Sequence, residues 1–167
     1  MNYIFLDIDG VMNNRIDWMS KVDNQSENFE DHRMFCDEAW QMLSDVCKAT
    51  DARIILSSSW RLGLKEDGDI IAPRNPKCDL SNRLLKYFDK YEIKLVALTS
   101  NQYDHRGKQI YKFAQNYFTQ YDKYVVLDDE DFDIKCYIPE EQIIKTEFET
   151  GLLPEHCERI LKYFEIN

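Results

Sequence analysis

Short apolar runs that alternate with amphipathic helical segments constrain the fold of this chain more than any other feature. Most of the runs are four or five residues long, which suits buried strands, and the segments between them carry apolar residues at helical spacing. Strands that alternate with helices predict a Rossmann-like α/β fold, in which a parallel sheet of about five strands has helices on both faces. The predicted strands are Tyr3–Leu6, Arg53–Leu56, Lys94–Leu98, Tyr124–Leu127 and the short run Ile143–Ile144.

The chain of 167 residues is interpreted as one domain, residues 1–167, with a hydrophobic core of its own. Two stretches, 13–34 and 62–81, resist assignment to a helix or a strand. Both follow the carboxyl end of a predicted strand, where open α/β sheets place their ligands. They are candidate lid or substrate loops, and ordinary solvated surface loops are the alternative.

Charge and cysteine content exclude several classes of protein. The formal net charge of −10 repels nucleic-acid backbones and anionic membranes, so tight nonspecific nucleic-acid binding is not expected, although a local basic pocket is compatible with it. Five dispersed cysteines argue against a disulfide framework and against a structural zinc site. The chain has neither an apolar run of the ~18 residues that a membrane span needs nor the pattern of a secretory signal. A cytoplasmic location is therefore expected.

The strongest chemical signal is the pair Asp7 and Asp9, directly after the first apolar run and directly before Gly10. Residues at i and i+2 of an extended chain project to the same side. Two carboxylates at the end of a buried strand are costly unless a cation or hydrogen-bond donors compensate them. Mg²⁺ is a hard cation that takes a few carboxylates together with phosphate oxygens and water. The pair therefore predicts a magnesium-dependent phosphoryl-transfer site.

A second acidic group, beginning with Asp128 and Asp129, follows the predicted strand Tyr124–Leu127. Acidic loop starts are common, so this group is weak evidence alone. In a doubly wound sheet of order 5-4-1-2-3, strands one and four are neighbours beside the topological switch point. The two acidic groups are then expected to meet across the crevice.

The second strand ends in Ser57-Ser58-Ser59, followed by Trp60 and Arg61. Hydroxyls and free backbone N–H groups after a strand form a cradle for an anion, and Arg61 is a candidate for a bidentate contact with phosphate. An ordinary serine-rich turn with Trp60 packed in the core is the alternative.

Arg106 and Lys108 form a basic cluster at the predicted start of a helix. The helix dipole favours anions at this end, so cations here indicate a phosphate or aspartate partner. A solvated basic helix start is the alternative.

These four segments, in this order, resemble the motifs of the haloacid-dehalogenase (HAD) superfamily of phosphohydrolases. Residues Leu6–Val11 match its first motif, an apolar strand followed by Asp-x-Asp-Gly-Val. Ser57 matches the second motif, and Arg106 or Lys108 matches the third, a cation before a helix. Residues 128–129 match the fourth, an acidic pair at the end of a strand.

More narrowly, the chain is similar to the small HAD domains of RNA-repair ("Swiss army knife") proteins. Nucleic-acid end phosphatases share the four motifs. The interval between the first two motifs is too short for a large cap domain, so the resemblance implies a HAD fold with a minimal cap or none. The segments that carry the narrower resemblance are Asp9–Asn13, Ser57–Arg61, Arg106–Ile110 and Thr150–Leu152.

The resemblance implies a phosphatase mechanism with Mg²⁺ as cofactor. Asp7 would be the nucleophile that forms an aspartyl-phosphate, and Asp9 the general acid and then the general base. Magnesium would be held by Asp7, by the backbone carbonyl of Asp9 and by Asp129. Asp128 would orient the metal's waters or act as a substitute ligand.

The resemblance also assigns the phosphoryl oxygens to hydroxyl and cationic side chains. Two assignments stay open, because Arg106 and Lys108 both fit the third motif, and because Asp133 lies at the spacing that some relatives use to assist Asp129. The candidates are Ser57, Ser58, Arg106 and Lys108 for the phosphate, and Asn13 and Arg61 for other parts of the substrate.

A phosphorylated RNA or DNA end is the partner that the RNA-repair resemblance implies, since a weakly capped site admits large substrates. Small phosphometabolites or nucleotides are an alternative class, and a non-catalytic HAD-like binding domain is another. A receiver domain also gathers acids, a hydroxyl and a lysine around magnesium, but its paired acids come first, whereas here they come late. The sequence does not predict an oligomeric state.

Overall fold

The computed structural model describes residues 1–16, 19 and 35–165, and these form an α/β structure. The strands are β1 (Asn2–Leu6), β2 (Ala52–Leu56), β3 (Leu64–Asp67), β4 (Ile70–Pro73), β5 (Leu95–Leu98), β6 (Lys123–Asp128) and β7 (Ile143–Lys145). The helices are α1 (Asp37–Thr50), α2 (Asp79–Lys90), α3 (Arg106–Tyr117) and α4 (Pro154–Tyr163).

Five of these strands form one parallel sheet in the order β5-β2-β1-β6-β7. In register, Leu6 of β1 lies opposite Leu56 of β2 on one side and Leu127 of β6 on the other. The predicted order 5-4-1-2-3 is this order read from the opposite edge, so the prediction is confirmed. The predicted start of the last helix at Pro154 is also correct, as expected of a residue whose fixed φ suits a first helical turn.

Side chains of the sheet alternate between two hydrophobic layers. Ile4 points into the larger layer and Phe5 into the smaller. Helices α1, α2 and α4 contribute apolar side chains to the layer of Ile4, whereas, within the described residues, α3 is the one α-helix that contributes to the layer of Phe5. Helices therefore cover both faces, as predicted, but they cover them unequally.

The stretch 62–81, predicted to be a loop, contains a second small sheet. Strands β3 and β4 form an antiparallel hairpin whose turn includes Gly68 at φ +64°. The hairpin could not be predicted from the sequence. Leu64 is its fully buried residue and most of its other side chains are exposed. Apolar and polar residues therefore do not alternate along its strands, as they do in a half-buried strand. Glu66 attaches the hairpin to β5, since its carboxylate accepts the backbone N–H of Leu98 at 3.0 Å.

The other candidate lid, 13–34, lies mostly outside the described residues, which resume at Phe35. Its beginning is tied to the far end of the chain: the backbone N–H groups of Arg15 and Ile16 donate to the carbonyls of Phe148 and Glu149. In the part of the chain that the structure describes, no helix combines the length and the apolar character that a bilayer crossing requires.

Candidate active site

The first and fourth motifs meet because β1 and β6 are neighbours in the sheet. The parallel register places the ends of both strands at the same edge, and the backbone N–H of Asp7 continues the ladder by donating to the carbonyl of Leu127 at 2.9 Å. Asp7 is the first residue beyond β1 and Asp128 is the last residue of β6. The predicted meeting of the two acidic groups across the switch point is therefore observed.

Three carboxylates converge at this edge, from Asp7, Asp128 and Asp129. One oxygen of each lies within 4.8 Å of one oxygen of the others. Asp7 and Asp128 are buried and Asp129 is half-buried. A compact set of acidic oxygens is the ligand chemistry that Mg²⁺ prefers, so these residues fit the predicted ion.

Burial and mutual repulsion raise the pKa values of these three acids. Burial, with repulsion from Asp7 as the second cause, raises the pKa of Asp128 to about 7. The same two causes raise the pKa of Asp129 to about 6. Burial also raises the pKa of Asp7, against the opposing attraction of Arg106. A bound cation would offset the repulsion and keep all three groups ionised.

Arg106 is the cation that the fold brings to the acids. Its Nη1 lies 2.6 Å from Oδ2 of Asp128 and 3.2 Å from Oδ1 of Asp7. The nearby carboxylates outweigh its partial burial and raise its pKa, which keeps the guanidinium charged. Lys108 lies elsewhere, with its Nζ 5.2 Å from the ring centroid of Tyr103. The structure thus favours Arg106 for the third motif and does not bring Lys108 to the acids.

A tight turn at Gly10 makes room for Asp129. Gly10 has φ +72°, and a Cβ at this position would overlap Oδ2 of Asp129. Fully buried Thr146, just after β7, fixes the same turn: its hydroxyl donates to the Gly10 carbonyl at 2.8 Å, and its N–H donates to the Asp128 carbonyl at 3.0 Å. Thr146 was missed from sequence, although it follows the strand next to β6 and so belongs to the ligand edge of the sheet.

Ser57 presents a buried hydroxyl at the end of β2. Its Oγ is fully buried and has no hydrogen-bond partner among the described residues. A hydroxyl left unpaired in the interior is costly unless a ligand oxygen satisfies it. The predicted cradle is wrong in one respect, because the backbone N–H groups of Ser57 and Ser58 are not free but donate to the carbonyl of Leu6.

The hydroxyl of Ser58 accepts the backbone N–H of Trp60 at 3.4 Å, and its interaction with Asp7 opposes the rise in the pKa of that carboxyl. Arg61 is mostly buried and also has other partners. Its guanidinium donates to the carbonyls of Ser57, Ser58 and Thr99 and to Oε1 of Gln109, at 2.7–3.0 Å. These four bonds leave at most one of its five N–H groups, so the expected bidentate contact of Arg61 with phosphate does not fit. Arg61 holds the loop after β2 in shape.

Asp9 is exposed, and two donors hold its carboxylate. Asn13 Nδ2 donates to Oδ1 at 2.8 Å, and Trp60 Nε1 donates to Oδ2 at 2.9 Å. Asn13 in turn accepts the N–H of Gly10 at 3.1 Å, which anchors its amide. The predicted substrate residue Asn13 therefore contacts Asp9, and the role of Trp60 was missed, because a tryptophan after a serine run gives no sign of its hydrogen-bond partner.

Asp133 is not part of the acidic group. Its Oδ2 accepts the backbone N–H of Gly107 at 3.0 Å, in the first turn of α3. A Cβ on Gly107 would lie 2.6 Å from the Asp133 carbonyl, so the glycine allows this close approach. Of the two residues considered as assistants of Asp129, Asp128 is the one that lies beside it.

Comparison with known proteins gives one family. The family described as the HAD domain in Swiss Army Knife RNA repair proteins matches residues 3–157. No curated protein and no solved structure matches the chain. The matched range begins in β1 and ends within α4, so it includes all four motifs.

Proposed function

Because the chain belongs to the family of HAD domains in Swiss Army Knife RNA repair proteins, we propose that it is a magnesium-dependent phosphohydrolase that works through an aspartyl-phosphate. The observation that carries the proposal is the buried carboxylate of Asp7, which lies within 4.8 Å of two further carboxylates and 3.2 Å from Arg106. A carboxylate in this setting is poised for attack on an anionic phosphorus centre, because cationic charge offsets the repulsion.

In the first half-reaction, an oxygen of Asp7 attacks phosphorus while the bond from phosphorus to the leaving oxygen breaks. Asp9 donates its proton to that leaving oxygen. In the second half-reaction, Asp9 takes a proton from water, whose oxygen attacks phosphorus and releases Asp7 and inorganic phosphate. Asn13 and Trp60 hold the Asp9 carboxylate for both transfers.

Two groups are placed for the transferred phosphoryl oxygens. The hydroxyl of Ser57 lacks a partner among the described residues, and a phosphoryl oxygen would satisfy it. Arg106 stands beside the nucleophile, where its charge offsets that of the phosphoryl group. Magnesium would be held by Asp7, Asp129 and the backbone carbonyl of Asp9, with Asp128 beside them. When bound, it would supply charge neutralisation for the phosphoryl oxygens.

For the substrate, we propose a phosphorylated nucleic-acid end. The matching family is described by RNA repair. In the described part of the chain, the addition to the five-stranded sheet is a short hairpin, not a cap domain. A site without a cap domain admits the end of a polymer. Small phosphometabolites or nucleotides are the competing substrates, and a HAD-like domain without turnover is the competing function.

A magnesium-dependent release of phosphate tests the proposal. The panel contains p-nitrophenyl phosphate, 3′- and 5′-phosphorylated oligonucleotides, nucleotides, sugar phosphates and phosphopeptides. We expect turnover that requires Mg²⁺, is highest on an oligonucleotide end and is abolished by Asp7→Asn, with the thermal unfolding midpoint of the variant showing a retained fold. Near wild-type turnover in Asp7→Asn would contradict the mechanism. No turnover on any substrate would instead support a binding domain.

A further inference from the structure

A cleft of about 460 Å³ runs beside α3, on the sheet face of the smaller hydrophobic layer. Its existence follows from the uneven helix cover. Five strands at a spacing of ~4.8 Å span about 19 Å, whereas one helix is ~10–12 Å wide. Helix α3 therefore leaves the part of this face near β5 open. Tyr3, Ile55 and Ala97 of the strands line the cleft, and Lys112, Phe113 and Asn116 line it from the helix.

The helix that borders the cleft has a charge opposite to that of the whole chain. Residues 105–121 contain no aspartate or glutamate, although the formal net charge of the chain is −10. Within this run α3 carries Arg106, Lys108 and Lys112. Among the described residues, Glu66 supplies the one carboxylate of the cleft lining, and this carboxylate accepts the backbone N–H of Leu98. Of these three cations, Lys112 lines the cleft, whereas Arg106 is paired with Asp7 and Asp128 and Lys108 lies over the ring of Tyr103.

The cleft lies next to a second cavity whose walls include Arg106 and the three acids Asp104, Glu130 and Asp133. This second cavity has a volume of about 290 Å³, and Gln109 belongs to the walls of both cavities. Gln109 is fixed there, since its Oε1 accepts from Arg61 at 2.7 Å and its Nε2 donates to the Tyr103 carbonyl at 2.6 Å. A polymer whose terminal phosphate lies at Arg106 therefore has the cleft as its next surface.

We propose that this cleft binds the single strand of nucleic acid that leads to the phosphorylated end. Lys112 in the wall of the cleft attracts the phosphate backbone. The exposed ring of Tyr117 offers a stacking face, and the amides of Gln102 and Asn116 offer donors and acceptors to base edges. This inference rests on the proposed hydrolysis of a nucleic-acid end. It adds to that proposal the surface on which the strand is bound.

The length of α3 predicts how much of the strand contributes. The 12 residues of α3 extend about 18 Å at ~1.5 Å per residue. A stacked strand rises ~3.4 Å per nucleotide, so about five nucleotides fit along the helix. We expect KM to fall as the phosphorylated oligonucleotide lengthens to about five nucleotides and to change little beyond that length.

The test compares Lys112→Glu with Lys86→Glu, a charge reversal on the exposed surface of α2. Lys112 hydrogen-bonds to Gln115 on the surface of α3, so both variants should fold, which the thermal unfolding midpoint checks. Lys112→Glu should raise KM for the five-nucleotide substrate and reduce the slope of log KM against log salt by about 0.7, the value for one single-strand phosphate contact. It should leave hydrolysis of p-nitrophenyl phosphate unchanged, and Lys86→Glu should change neither.

A second variant, Asn116→Glu, places a carboxylate in the exposed wall of the same cleft and should have the same effect. The binding of an unphosphorylated oligonucleotide, followed by fluorescence anisotropy at low salt, separates the two proposals, since it needs no turnover. A KM independent of length in an enzyme that hydrolyses p-nitrophenyl phosphate overturns the cleft inference and leaves the proposed function standing. Binding that Lys112→Glu weakens, in a protein without turnover, overturns the proposed function and supports the cleft.

Discussion

Replacement of Trp60 by phenylalanine tests whether the indole N–H directs the proton transfer by Asp9. The bond from Nε1 to Oδ2 of Asp9 is 2.9 Å long. The phenylalanine ring keeps an aromatic surface against Phe35, whose ring centroid lies 5.4 Å from that of Trp60. The substitution therefore removes one donor and little packing, so the fold should be preserved.

A hydrogen bond to a charged group contributes about 1.5–3 kcal/mol, and the lower figure applies because Asp9 is exposed. About 1.4 kcal/mol corresponds to a tenfold change in rate. We expect kcat/KM to fall about tenfold for an alkyl phosphate, whose leaving oxygen needs a proton. For p-nitrophenyl phosphate, whose leaving group departs as a stable anion, the expected change is less than about threefold.

A double-mutant cycle with Asp9→Asn completes the experiment. If Trp60 acts through Asp9, Trp60→Phe should add almost nothing to the loss in the Asp9→Asn background. Equal slowing of both substrates, or full additivity with Asp9→Asn, would refute the assigned role. Asn13→Ala removes the other donor to the same carboxylate, and it should show the same dependence on the leaving group.

Three further predictions concern the acidic group. Gly10→Ala should lower activity and magnesium affinity, measured by turnover at varied Mg²⁺, because its Cβ would displace the Asp129 carboxylate from a turn at φ +72°; unchanged magnesium dependence would contradict this. Magnesium at about 100 times its Kd should stabilise the native state by ~2.7 kcal/mol. This stabilisation corresponds to a rise of about 5–10 °C in the unfolding midpoint, at ~2–4 °C per kcal/mol. Asp129→Ala should abolish the rise, and Asp133→Ala should retain it. In metal-free protein, the pKa values of about 7 for Asp128 and about 6 for Asp129 exceed the ordinary 3.8. The native state then binds more protons than the unfolded chain, so the free energy of unfolding by urea should fall as pH rises from about 4 to about 7, and a rise over this range would refute the assigned burial.

The sheet was predictable because its central strands β1, β2 and β6 are mostly buried and stand out as apolar runs between helical patterns. The hairpin of β3 and β4 was not, because most of its side chains face solvent and their polarity matches that of a loop. A strand is recognised in a sequence by the apolar residues that it buries, and an exposed hairpin has few of them.

The candidate site was predictable where topology alone brings residues together. Asp7 and Asp128 meet because neighbouring parallel strands end at the same edge. The direction of individual side chains was harder to predict from the sequence. Arg61 and Lys108 are both cations near the expected phosphate. However, Arg61 donates to backbone carbonyls, and Lys108 lies over the ring of Tyr103. Which of several nearby cations reaches an anion depends on rotamers and competing acceptors, and these are set by the three-dimensional packing.

The hydrogen bond from Thr146 to the Gly10 carbonyl joins residues 136 positions apart. Because Thr146 hydrogen-bonds to both the turn after β1 and the end of β6, the proposed magnesium site is complete only when nearly the whole chain is in place. During synthesis at ~5–20 residues per second, Asp7 is made long before Thr146, so the surroundings of Asp7 form only after the last strand of the sheet has been added. Metal binding would therefore mark the end of folding, and no amino-terminal fragment that lacks β7 should bind the ion as the full chain does.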